Sequence, residues 1–275
     1  MSAPKDRIGI LKTRALVLLL CFIFNIFPAA AFASTDDVLI DTGDITRGII
    51  NIAYHSDSPQ KIKVMIQKGS QRYTYDLRAD GSTQSFPLQM GNGDYIISVL
   101  KNTQGTKYKY LTKKDVSLAL SDQRVLFLNS IQNIDYRNEL VADEAQQLTQ
   151  GLSSDEAKAE AIYHYIVDNC SYDYEKKSTV QAGYIPDPAD TLCTKKGICY
   201  DYASLFASMA RCVGIPCKLV KGYSANVNGY HAWNEVAING EWAVVDTSSD
   251  MQRRAAYEPY VMVKPVTAYT NTYEY

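Results

Sequence analysis

The apolar positions along this chain change period after its first third. From Ile45 to about Leu128 they alternate. Ile62, Val64 and Ile66 interleave with Lys61, Lys63, Met65 and Gln67, and after the turn residues Gly69-Ser70, Tyr73, Tyr75 and Leu77 interleave with Arg72, Thr74, Asp76 and Arg78. Successive side chains of a strand point to opposite faces, so this pattern predicts strands buried on one side. Gly91-Asn92-Gly93-Asp94 leads into Tyr95–Leu100, and Val125–Leu128 is a last apolar run. About six or seven short strands at this spacing predict a small antiparallel β-sandwich.

Beyond Leu128 the period becomes helical. Asn138–Thr149 reads as a helix stopped at Gly151. Ser153-Ser154-Asp155-Glu156 has capping-box spacing and opens a helix to about Asn169, with Ala159, Ile162, Tyr163 and Ile166 inward. Glu175–Lys196, which contains Gly183, Pro186 and Pro188, reads as a long loop.

Residues 199–213 predict a third helix. Ala203, Phe206, Ala210 and Val213 fall within about 40° of Cys199, whereas Ser204, Ser208 and Arg211 point the other way. Gly214 and Pro216 end it. Cys199 therefore heads the core-facing stripe at the helix N-terminus. The field there favours thiolate over thiol, and the free amides can hold an oxyanion. Asp201 opposes the field unless nearby backbone N–H groups bind its carboxylate. A cysteine that only fills the core is the competing reading.

Asn239-Gly240 between β-prone runs predicts a two-residue hairpin turn with Ile238 opposite Glu241. Extended in register, Trp233 faces Asp246 and His231 faces Ser248. His231 and Asp246 then share a face as diagonal neighbours, with Cβ atoms roughly 7–8 Å apart. A cysteine nucleophile needs this arrangement: a base to take its proton and a carboxylate to orient that base. Separately, the two would read as a strand-capping histidine and a turn aspartate. Trp233 and Trp242 share the same face and either shield the site from water or simply pack. Gln181, in Val180-Gln181-Ala182-Gly183-Tyr184, is a candidate oxyanion donor; a solvated loop glutamine is its plainer reading. Trp233 and Gln181 are thus candidate oxyanion or substrate-binding residues.

Composition narrows the field. Of 275 residues, 28 are lysine or arginine and 30 are acidic, so no basic footprint for nucleic acid exists. Lys5, Arg7, Lys12 and Arg14 precede the apolar stretch Ala15–Phe27, and Ala31-Phe32-Ala33 has small residues at cleavage spacing. This predicts a signal peptide over 1–33, cleaved after Ala33, and a secreted or cell-surface protein with no membrane segment once cleaved. A retained anchor is the alternative, but Asn25 and Pro28 interrupt the run. Without Cys21, five cysteines remain: Cys170, Cys193, Cys199, Cys212 and Cys217. No Cys-x-x-Cys spacing exists and histidines number only 3, so neither a metal nor a cofactor is expected.

Gly197-x-Cys199-x-Asp201-Tyr202-Ala203, Tyr230-His231-Ala232-Trp233-x-Glu235-Val236 and Trp242-x-x-Val245-Asp246-x-Ser248 together resemble the transglutaminase-like superfamily of bacterial secreted proteins over about Asn138–Asp250. The resemblance implies an α+β, papain-like core, a nucleophile helix packed on an antiparallel sheet, with Cys199 as nucleophile, His231 as base and Asp246 as orienting acid. Nothing resembles the calcium-binding domains of eukaryotic transglutaminases. Arylamine acetyltransferases share the triad order, but their paired glycines before the cysteine are replaced here by Lys196-Gly197. The expected organisation is a β-sandwich over 34–132 and a transglutaminase-like domain over 133–275. The expected activity is cysteine-dependent acyl transfer on amide bonds of protein or peptide substrates, whether peptidase, amidase or protein-glutamine crosslinking or deamidation. A catalytically silent binding module is the alternative.

Overall fold

A computed structural model of the chain describes residues 37–57 and 60–275. The signal-peptide segment, Cys21 included, lies outside the described residues. Those residues belong to one compact unit with an all-β part followed by an α+β part.

The β part has strands β1 (Val38–Asp41), β2 (Ile49–Tyr54), β3 (Ile62–Lys68), β4 (Gln71–Leu77), β5 (Gln84–Pro87), β6 (Gly93–Gln104) and β7 (Lys107–Leu118). They form two antiparallel sheets, β1-β2-β5 and β4-β3-β6-β7. Ile50, Ile52 and Phe86 of the first sheet share a buried core with Val64, Ile66, Ile97 and Val99 of the second. The alternation thus places one face of each strand in a sandwich core. The apolar run Val125–Leu128, expected as a strand, belongs instead to a 3-10 helix, Gln123–Leu128. Asp122 caps it, accepting from the Arg124 N–H at 2.9 Å, so a local side-chain bond outweighs β-propensity.

The α+β part has helices α1 (Glu139–Thr149), α2 (Asp155–Asn169), α3 (Tyr174–Thr179), α4 (Pro188–Thr194) and α5 (Cys199–Cys212). The two-residue strands β8 (Ser171–Tyr172) and β9 (Lys196–Gly197) pair in parallel. Strands β10 (Cys217–Ser224), β11 (Val227–Ile238), β12 (Glu241–Val245), β13 (Val263–Lys264) and β14 (Tyr269–Glu274) make an antiparallel sheet of order β13-β12-β11-β10-β14. Helix α6 (Thr247–Ala255) follows β12. The cap of α2 is Ser154, whose hydroxyl accepts from Ala157 N–H at 3.1 Å, one residue later than the capping-box spacing suggested. The stretch expected as a long loop contains α3 and α4. Asp173 caps α3, and Asp187 caps α4, which has Pro188 in its first turn.

Helix α5 packs on β11, where Asn234 Nδ2 donates to the Ala203 carbonyl at 2.9 Å. Its polar stripe is buried as well. Ser204 donates to the Asn133 carbonyl at 2.6 Å and Ser208 to that of Ser204 at 2.8 Å. Arg211 donates to the main-chain oxygens of Cys217, Asn129 and Tyr275 at 2.8, 2.6 and 2.7 Å. Desolvation of that guanidinium lowers its pKa to about 10. The helix is therefore surrounded by protein, with Arg211 stitching the end of the β part to β10 and the chain's last residue. Tyr73 of the β part also meets Tyr275 edge-on, at 5.4 Å between ring centres, and Trp242 meets Phe127 at 5.5 Å.

Candidate active site

Cys199 is the first residue of α5 and is half-buried. What holds the helix start is Asp201, which is completely buried. Its carboxylate accepts from the Ile198 N–H at 2.8 Å, pairs with Lys176 Nζ at 2.8 Å and accepts from the Tyr184 hydroxyl. The negative charge that would oppose a thiolate is thus compensated by a backbone amide and an ammonium. Gly197 makes room for it: a Cβ there would lie 2.8 Å from Asp201 Cβ.

His231 lies on β11 opposite Gly222 of β10. A Cβ at Gly222 would lie 2.0 Å from the Thr270 carbonyl oxygen and 2.9 Å from the Trp233 ring, so bare backbone there lets β14 and Trp233 close in. The hairpin turns at Asn239-Gly240 (φ 53° and 84°), and Ile238 faces Glu241, as the turn chemistry requires. The ladder ends at Asn234–Val245. Ser248, expected opposite His231, lies instead in α6, because Asp246 leaves the strand to cap that helix.

Capping fixes the carboxylate. Asp246 Oδ1 accepts from the Ser249 N–H at 3.0 Å and the Ser248 hydroxyl at 3.2 Å, while Oδ2 accepts from the Tyr269 hydroxyl at 3.0 Å and meets His231 Nε2 at 2.8 Å. Burial alone would raise the Asp246 pKa, but the hydrogen bond and charge of His231, with the Ser249 and Tyr269 bonds, hold it below its usual value. Burial pulls the imidazole the other way. Its hydrogen bonds and charge interactions with Asp246 and Cys199 outweigh that pull and raise it to about 10. Both shifts favour the charged pair. With Nε2 committed to Asp246, Nδ1 is the ring nitrogen left for the thiol.

Cys199, His231, Tyr184, Tyr200, Lys221 and Tyr230 line a cleft of about 330 Å³, with Gln181 at its rim. Gln181 Nε2 donates to the Thr179 carbonyl at 2.8 Å rather than into the site. Trp233, 1 % exposed, is packed among Val220, Val244 and Tyr269, its ring 6.1 Å from the imidazole with 26° between planes. It is a support for His231 and not part of the cleft wall. Trp242 packs at the other end of the hairpin, against Phe127 and beneath Lys218 Nζ.

Tyr172 was not apparent in the sequence. The β8–β9 pairing sets it beside Gly197, and burial together with the neighbouring Cys199 raises the pKa of its hydroxyl. The only sequence signal is its place just beyond α2, which carries no chemistry by itself. The thiols of Cys170, Cys193, Cys199, Cys212 and Cys217 are all free. Among the described residues, no group of three or more His, Cys, Asp or Glu side chains could hold a metal ion, and no helix is long and apolar enough to cross a membrane.

The site therefore has the fold and residue types of a cysteine acyl-transfer centre. Residues 142–247 match the family described as the transglutaminase-like superfamily. The chain is similar to the Kyphoscoliosis peptidases of Mus musculus (36 % identical) and Homo sapiens (34 %), in each case over an alignment of 122 residues with a coverage of 40 % of this chain and 18 % of the relative. It thus spans less than a fifth of the length of those curated relatives. Among solved structures it is similar to red sea bream transglutaminase, at 12 % identity with a TM-score of 0.33, covering 72 % of this chain and 47 % of that one.

Proposed function

We propose that this protein is a secreted cysteine-dependent enzyme that breaks amide bonds of protein or peptide substrates by acyl transfer through Cys199, His231 and Asp246. The observation that carries the reading is the imidazole of His231, bound to Asp246 at 2.8 Å through Nε2 and lining the same cleft as Cys199, which helps to raise its pKa. The Cys199 proton passes to His231, and Asp246 steadies the resulting imidazolium. The thiolate attacks the carbonyl carbon and forms an S–C bond, and the oxyanion is stabilised by the Cys199 N–H and the Tyr172 O–H. The imidazolium then protonates the nitrogen of the leaving amine as the C–N bond breaks, leaving a thioester. His231 next deprotonates an incoming water or amine, which attacks the thioester and expels the thiolate.

Water gives hydrolysis and a lysine amine gives a crosslink; for a compact domain, hydrolysis is the expected outcome. Secretion rests on the N-terminal sequence pattern alone.

The test is alkylation of Cys199 by iodoacetamide as a function of pH. Labelling near neutral pH faster than that of glutathione, and slowed by His231→Ala, is expected. Labelling at the glutathione rate in both proteins would overturn the reading. Ammonia release against amine incorporation on a glutaminyl peptide then separates hydrolase from transferase.

A further inference from the structure

The cleft holds a cation that the reaction above does not use. Lys221 pairs with Ala232 across β10 and β11. By strand alternation it projects to the same side of the sheet as Leu219 and Asn234, the side on which α5 packs. There its Nζ lies 3.5 Å from the centre of the Tyr200 ring and 5.1 Å from that of Tyr275. Lys221 lines the cleft together with Cys199 and His231 and is near enough to the thiol for their charges to interact.

Among the described residues, no carboxylate forms an ion pair with this ammonium. Glu235 and Glu274 pair with Lys218, three positions earlier. Asp201 is committed to Ile198, Lys176 and Tyr184. The remaining polar groups of the cleft wall are neutral hydroxyls and the Gln181 amide, His231 apart. A lysine kept for packing lays its stem along apolar surface and carries the ammonium out to water. Here the ammonium itself sits over a ring face within the cleft. Burial lowers its pKa to about 8, against the opposite pull of Cys199, so it is still charged at neutral pH. A partly desolvated charge without a counter-ion is costly, and an anion supplied by a ligand relieves that cost.

We propose that Lys221 is the carboxylate-binding group of this cleft, so that the favoured substrate carries a carboxylate next to the amide that Cys199 attacks. The proposal rests on Cys199 being the nucleophile and adds the chemical class of its substrate, an acidic peptide or a chain ending close to the scissile bond.

Iodoacetate and iodoacetamide form the same S–C bond and expel the same iodide, and they differ only in carboxylate against carboxamide. The readout is the ratio of their rate constants at pH 7, followed on the Cys199 peptide by mass spectrometry. Lys221→Met is expected to lower that ratio about tenfold, the value of one charge-assisted contact. Lys221→Arg should keep it near the wild-type value. Because the His231 imidazolium also attracts iodoacetate, His231→Ala provides a second reading with Lys221 intact, and its ratio should stay above that of glutathione. A ratio indifferent to Lys221→Met, or a glutathione-like ratio in His231→Ala, would overturn the proposal while rapid iodoacetamide labelling left the nucleophile standing. Slow labelling of the wild-type protein by both reagents would remove the nucleophile and the proposal with it.

Discussion

His231 Nε2 lies 2.8 Å from Asp246 Oδ2, although the strand that leads to the aspartate stops one residue before it. The contact survives because Asp246 caps α6, where the Ser249 N–H and Ser248 hydroxyl hold one carboxylate oxygen and leave the other for the imidazole and Tyr269. A helix cap thus does the orienting that a continued β-ladder would have done.

Removing that carboxylate should change the imidazole before it changes the fold. In Asp246→Asn the charge and the anionic acceptor that Asp246 supplies to raise His231 are lost, and only Cys199 still opposes burial. The histidine-dependent acceleration of Cys199 alkylation is expected to end well below the wild-type limit near pH 10. Turnover at pH 7 should fall roughly a thousandfold or more, as when an orienting carboxylate is replaced in other triads. An alkylation profile identical to that of the wild type would contradict the assignment.

The same pair shapes stability against pH. A histidine with a raised folded pKa contributes stability that is complete below its unfolded value near 6.5 and lost as pH rises through about 10. Asp246, depressed in the fold, contributes above its unfolded value near 3.8 and loses that contribution as pH falls through its folded value. The melting temperature of the wild-type protein should therefore fall more steeply from pH 6.5 to 10 than that of His231→Gln. Parallel curves in a buffer series would count against it.

Tyr172→Phe deletes only the hydroxyl, whose pKa the neighbouring Cys199 helps to raise. If that hydroxyl donates to the oxyanion, kcat should drop by about 10²-fold, the scale of a single oxyanion donor, with iodoacetamide labelling little changed. Equal losses in both measurements would place the tyrosine in thiol activation instead.

Gly197→Ala would put a methyl group 2.8 Å from Asp201 Cβ, on a carboxylate already tied at three points. Overpacking of this kind costs about 1–3 kcal/mol. Urea unfolding should show that loss, together with slower Cys199 alkylation as the first turn of α5 shifts. Wild-type values in both would mean that the turn has slack.

Arg211→Met removes three donors from the buried back of α5 and leaves the oxygens of Cys217, Asn129 and Tyr275 without them. Stranding buried acceptors costs about 1–3 kcal/mol each, less whatever the apolar replacement recovers. A loss of about 3 kcal/mol or more in urea unfolding is expected. A neutral result would show that solvent takes over those carbonyls.

Much of the site is legible along the chain. Asn239-Gly240 admits few backbone conformations, so the pairing from Ile238–Glu241 to Asn234–Val245 follows from two residues. Cys199 at the head of a helix ended by Gly214 is equally local. Departures come where a short-range bond breaks a pattern: Asp122 turns an apolar run into a 3-10 helix, and Asp246 ends a strand early. Helices α3 and α4 span only 6 and 7 residues, too few for periodicity to register.

The sequence by itself determined what torsional preference and alternation settle within a few residues: the β-sandwich pattern, the nucleophile helix and the face shared by His231 and Asp246. Only the tertiary structure decided what each surface meets. It buried the polar stripe Ser204–Ser208–Arg211, set Tyr172 on Cys199 through a parallel pairing with Gly197, put Trp233 behind the histidine and placed Lys221 over Tyr200 without a carboxylate partner. The physical reason is range: a turn or cap is chosen by bonds a few residues apart, whereas these contacts join segments whose approach is fixed only when the whole core closes.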